Sequence, residues 1–140
     1  MSDTSRGQCA CGKIRFEFTG EPINSAFCYC QSCQKLTNSD KWFGLWVPVS
    51  SFKFTQGSPA TYSRLGDSGK KMHQKYCSNC STTLAIEVEV AGFYSVAATT
   101  IDGSETFSPN MCIYASHAPE WAVFPQGVPK FDILPPEFSG

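Results

Sequence analysis

Seven of the eight cysteines in this chain fall into three short clusters, Cys9-x-Cys11, Cys28-x-Cys30-x-x-Cys33 and Cys77-x-x-Cys80. That spacing constrains the fold more than any other feature. A Cys-x-x-Cys in a turn lets two sulfurs converge on one metal at about 2.3 Å, because the intervening residues bend backbone N–H groups toward the thiolates. Each such pair is half of a tetrahedral site. Cys9 and Cys11 with Cys77 and Cys80 make a four-thiolate set, which would tie the N-terminal strand to mid-chain as a structural zinc does. Cys28, Cys30 and Cys33 then remain as a three-thiolate set, and three protein ligands with an open position mark a catalytic zinc. Spacing alone also allows the other pairing, in which Cys77 and Cys80 complete a site with two of the central three, but seven ligands split most simply as four and three. An iron–sulfur cluster would also use four thiolates at short spacing. Cys112 is left over, read as a buried small side chain with the open metal as its only other role.

Thiols in such number mean metal ligands only in a reducing compartment, since the same residues in a secreted chain would form disulfides. The first residues, Met-Ser-Asp-Thr-Ser-Arg, lack the apolar core of a secretory signal, and no apolar run approaches a membrane span. The expected location is cytoplasmic, with no membrane partner. The formal charge of −1 counts every cysteine as neutral, so two zinc ions on seven thiolates would bring the chain to about −4. With no basic run longer than Lys70-Lys71, nucleic acid is not an expected partner.

At 140 residues, 41% hydrophobic and 14% aromatic, the chain suits one ordinary folded domain. The patterning is that of strands. Ile14, Phe16 and Phe18 alternate with Arg15 and Glu17, and Leu84, Ile86, Val88 and Val90 alternate with Ala85, Glu87 and Glu89. Further strand-like stretches are Trp42 to Val47, Phe52 to Phe54, Lys71 to Tyr76, Phe93 to Ala98 and Cys112 to Ala115. Gly- and Pro-containing breakers separate them. Only Gln31 to Asn38 reads as a short helical turn, so an all-β fold is expected. Residues 123–140, with four prolines, read as an ordered coil over the domain.

The segments Gly7-Gln8-Cys9-Ala10-Cys11-Gly12-Lys13-Ile14-Arg15-Phe16, Cys28-Tyr29-Cys30-Gln31-Ser32-Cys33-Gln34-Lys35, Gly57-Ser58-Pro59 with Tyr62, and Tyr76-Cys77-Ser78-Asn79-Cys80 resemble the glutathione-dependent formaldehyde-activating (GFA) enzymes, the centromere-protein-V/GFA domain. The resemblance covers about residues 7–125 of a single 1–140 domain. It implies a β-tent fold of stacked antiparallel sheets with two zinc ions. Cys9, Cys11, Cys77 and Cys80 look like the structural ligands, and Cys28, Cys30 and Cys33 like the catalytic ones. Ser81 stands where the family usually has Gly, and Cys112 where it commonly has His.

The implied activity is that of a carbon–sulfur lyase, in which glutathione adds to formaldehyde to give S-hydroxymethylglutathione. The alternatives are a related lyase acting on another aldehyde–thiol adduct and a non-catalytic zinc module that binds a protein partner. His73 and His117 are candidate proton shuttles. Lys41, Arg64, Lys70 and Lys71 are candidate contacts for glutathione's carboxylates. Trp42, Phe43 and Trp46 read as core or as a pocket wall, and Trp121 as a packing anchor.

Overall fold

The computed structural model describes residues 3–136, so the last four residues of the expected Pro-rich coil, 137–140, lie outside the described residues, as do residues 1 and 2. Among the described residues the fold is mostly β, with ten strands in two sheets and one α-helix, α1, Gln31–Thr37. The chain divides into two compact units, residues 1–24 with 45–106, and residues 25–44 with 107–140. No helix among the described residues is long and apolar enough to cross a membrane.

In the first unit, β1 (Thr4–Gln8), β2 (Arg15–Thr19) and β5 (Phe52–Gln56) pair antiparallel in the order β1-β2-β5. The alternation read from β2 holds: Phe16 and Phe18 are buried, Arg15 is exposed and Glu17 half-buried. Phe16 stacks on Phe52 at 5.2 Å. Gly7 sits on β1 because a Cβ there would fall on the Phe16 ring and the Thr100 carbonyl. The glycine is thus demanded by a close approach of backbone to ring.

The same unit holds an antiparallel meander of β6 (Ala60–Leu65), β7 (Lys71–Tyr76), β8 (Thr83–Val88) and β9 (Phe93–Ala97), with β6 at the edge. On β8 the period of two fails. Leu84, Ala85 and Ile86 are all buried, and the strand stops at Val88, leaving Val90 exposed in a 3-10 turn. A strand between two neighbours, covered on both faces, has no need to alternate.

The second unit is built around β3 (Asn24–Cys28), whose last four residues belong to it, and β10 (Met111–Ile113). These two run parallel, with Cys112 beside Phe27 and Ile113 beside Cys28. That pairing departs from the expected all-antiparallel arrangement. β10 is also shorter than the sequence suggests, because Ala115 already opens a 3-10 turn. The C-terminal coil lies along β10: Cys112 N–H donates to the Pro129 carbonyl at 2.8 Å, and Phe131 N–H to the Cys112 carbonyl at 2.9 Å. Trp121 is no anchor, being 67% exposed. β4 (Trp42–Pro48) carries the chain from this unit into the first.

Two candidate metal centres

Cys9 and Cys11 sit in the turn after β1, and Cys77 and Cys80 in the turn after β7. Their four sulfurs all lie within 4.8 Å of one another. Cys11 Sγ is 3.7 Å from both Cys9 Sγ and Cys77 Sγ. A tetrahedron of sulfurs at the zinc–thiolate bond length has an edge of about 3.8 Å, so this donor set fits zinc.

Each turn aims backbone N–H groups at its own sulfur. Ile14 N–H donates to Cys9 Sγ at 3.4 Å and Asn79 N–H to Cys77 Sγ at 3.4 Å. One hydroxyl joins the two turns: Thr82 Oγ1 accepts the Ala10 N–H at 3.1 Å and lies 3.2 Å from Cys80 Sγ. The Thr82 hydroxyl, with its own backbone N–H, holds the Cys80 thiol down to about 5. The Asn79 side chain likewise lowers Cys11. Hydrogen bonds that favour thiolates favour a cation among them. Ser81 closes its turn with φ +70 while its N–H bonds the Cys77 carbonyl at 2.8 Å, the left-handed conformation that suits glycine.

The second cluster comes from one stretch of chain. Cys28 ends β3, Cys30 caps α1, and Cys33 lies in the first helical turn, with their sulfurs within 4.8 Å of one another. Cys30 Sγ accepts the Cys33 N–H at 3.3 Å, so a thiol does the work that Ser or Asp does at most helix starts. Asn38, left-handed at φ 54, ends the helix. Gln34 then locks the loop, its amide nitrogen donating to the Tyr29 carbonyl at 2.9 Å and to the His117 carbonyl at 3.0 Å.

Among the described residues no fourth cysteine, histidine or carboxylate joins this trio. The thiols instead raise one another. Cys28 is pushed up to about 12, first by its bond with Cys30, and Cys33 rises further under Cys28 and Cys30. Three crowded thiols cannot all ionise alone, and a divalent cation among them removes that obstacle, so the donor set fits zinc here too.

Cys112 is fully buried and stands outside the trio. Burial raises it, and the Tyr29 hydroxyl donates to the Val123 carbonyl at 3.4 Å. The Tyr29 ring packs on Phe124 at 4.5 Å. Lys41 Nζ lies 5.0 Å from the Phe27 ring centre and is held by both oxygens of the buried Asp40 at 3.0 and 3.2 Å. Of the candidate carboxylate contacts, Lys41 is therefore already engaged. Trp42 is buried, and Trp46 stacks on Phe93 at 4.7 Å as core. His73 stands on β7 among Ser63 and Glu89, and His117 is exposed on the 3-10 turn after β10.

The sequence reading missed Thr82, Asn79, Gln34 and Asp40. Gln34 and Asn79 lie inside segments that resemble the GFA family, which is the one signal the sequence offers for them. The Thr82 bond to Ala10 spans 72 residues and leaves no local trace.

The profile described as "Glutathione-dependent formaldehyde-activating enzyme" matches residues 4–117. The chain belongs to the GFA family. The fold is similar to that of a Rhodobacter sphaeroides protein of known crystal structure, at TM-score 0.56 and 16% identity over 70% of this chain and 88% of that one. No curated protein matches the chain. Family membership places both cysteine clusters inside the matched region and makes this a chain of an enzyme family.

Proposed function

We propose that this GFA-family chain is a carbon–sulfur lyase that adds a small thiol such as glutathione to formaldehyde, at a zinc held by Cys28, Cys30 and Cys33. A second zinc is held by Cys9, Cys11, Cys77 and Cys80 in a structural role. The observation that carries this reading is the contrast in donor number, four converged sulfurs in one cluster and three in the other. A zinc with a vacant position supplies Lewis acidity and lowers the pKa of a thiol presented to it.

The chain's own part is to build and hold that position. Cys28, Cys30 and Cys33 present three soft donors, which select a soft fourth partner over water. Gln34 fixes the loop on which they stand. The paired Asp40 and Lys41 keep a compensated charge beside Phe27 and Tyr29 rather than a free cation. Formaldehyde and thiols react unaided, so the residues need supply only orientation and a thiolate at neutral pH.

Cobalt substitution tests the reading. Glutathione should strengthen the sulfur-to-metal charge-transfer band and release a proton, whereas S-methylglutathione, which yields no thiolate, should leave the spectrum unchanged. Identical responses to the two compounds, or none to either, would sink thiol activation at this centre.

A further inference from the structure

Outside both cysteine clusters, three reactive side chains from three elements meet on the β6–β7 hairpin. Ser63 on β6 and His73 on β7 are direct register partners, which places both side chains on one face. Ser63 Oγ is 2.6 Å from His73 Nδ1. On the other side of the ring, His73 Nε2 bonds Glu89 Oε2. The proton arrangement this permits is that of a nucleophile, a base and an orienting acid. Glu89 holds the proton on Nε2, leaving the Nδ1 lone pair to accept the serine proton. The two ring nitrogens are exchanged relative to the usual serine–histidine–acid order, but the direction of proton flow is the same.

We propose that Ser63, His73 and Glu89 form a second reactive centre, an acyl-transfer site for activated esters or thioesters of small carboxylic acids.

Two further features suit this chemistry. β6 is the edge strand of its meander. Backbone groups alternate in direction along a strand, so a free N–H faces the open edge either from Ser63 itself or from both of its neighbours. Such a donor can meet the oxygen of a tetrahedral intermediate. Leu65, two residues on and so on the same face, is 66% exposed and offers an apolar shelf for an acyl chain. His73 is the shielded member of the three, with its side chain 19% exposed against 41% for Glu89. The base is thereby screened while the serine is open to substrate.

The step balances without any further reagent than water. Ser63 Oγ bonds the acyl carbon as its proton passes to His73 Nδ1. The carbon–oxygen or carbon–sulfur bond then breaks, and the leaving alcohol or thiol takes that proton. Water, deprotonated in the same way, releases the acid and restores the serine.

The test uses the zinc-loaded full chain, a fluorophosphonate probe and p-nitrophenyl butyrate. The probe should label the wild type, with the modified peptide mapping to Ser63, as the P–O bond forms and fluoride departs. Ser63→Ala should abolish labelling and ester turnover. His73→Phe should slow both about 100-fold, and Glu89→Gln about tenfold. His73→Gln, which keeps a polar side chain at the position, reports the same loss should the Phe variant fold poorly. The thiol–aldehyde reaction should be unchanged in Ser63→Ala, which separates this centre from the one proposed above. An unlabelled wild type, a label on a cysteine, or a rate indifferent to His73 would overturn the proposal.

Discussion

Cys11 and Cys77 stand 66 residues apart in the chain, yet their sulfurs lie at 3.7 Å. Cys28, Cys30 and Cys33 crowd to a similar degree from within one strand end and one helical turn. The difference is thermodynamic. A metal in the first cluster binds ligands that only the folded chain assembles, so its binding energy is folding energy. The second cluster is local, and an unfolded chain can offer the same three thiols, which cancels much of any stabilisation. The electrostatics diverge in parallel. In the long-range cluster Thr82 lowers Cys80 and Asn79 lowers Cys11 while Cys77 is raised, whereas in the local one Cys28 and Cys33 are both raised, first by their bonds with neighbouring thiols. The first arrangement suits the permanent structural metal of the proposed function, and the second suits the exchangeable coordination proposed for it.

The largest effect that would test this contrast is loss of one ligand from each side. Cys77→Ser should lower stability by at least about 3 kcal/mol in denaturant melts, while Cys33→Ser should cost within about 1 kcal/mol and remove one zinc by elemental analysis. Equal losses would break the comparison. Titration of the wild type with a chelator is the next measure. About two zinc ions should leave per chain, the first without change in melting temperature and the second with a sharp fall.

Smaller effects should follow from the side chains that hold each loop. Thr82→Val removes the hydroxyl shared by Ala10 N–H and Cys80 Sγ, and Gln34→Leu removes both loop bonds of the second cluster. Each should weaken metal at its own cluster about 10- to 100-fold in competition with a chromophoric chelator, leaving the other unaffected. The smallest expected change is at Ser81, whose φ of +70 costs a non-glycine residue about 1 kcal/mol. Part of that gain is returned as chain entropy, so Ser81→Gly should raise stability by about 0.5 kcal/mol, read from the denaturant midpoint. A fall would mean that the Ser81 side chain contributes more than its backbone strain costs.

Much of this was legible in the sequence because the signals were local. Spacing and resemblance divided the seven cysteines as the folded chain groups them. β7 spans the expected Lys71 to Tyr76, and α1 starts at the expected Gln31 and stops at Thr37, one residue short of the expected Asn38, which caps it. β1, β3 and β6 went unread for a common reason. Thr4–Gln8, Asn24–Cys28 and Ala60–Leu65 carry small and polar residues, and they become strands through pairing with neighbours rather than through their own pattern. Trp121 misled because its likeness to the Trp near the family's C-terminus argues for packing, yet its segment leaves it in solvent. The roles of the residues that brace the clusters were not legible, even for Gln34 inside a family-like segment, because their bonds join distant parts of the chain, as in the 83-residue span from Gln34 to His117.

The parallel pairing of β10 with β3 has a consequence for the order in which a growing chain matures. All four ligands of the long-range cluster, together with Thr82, have been synthesised before Met111 is added. The local cluster has its three sulfurs even earlier, but its braces arrive last: Ile113 accepts the Tyr29 N–H, His117 accepts Gln34, and Val123 accepts the Tyr29 hydroxyl across 94 residues. A chain leaving the ribosome can therefore complete its four-cysteine cluster while its three-cysteine loop still lacks the strand that shapes it.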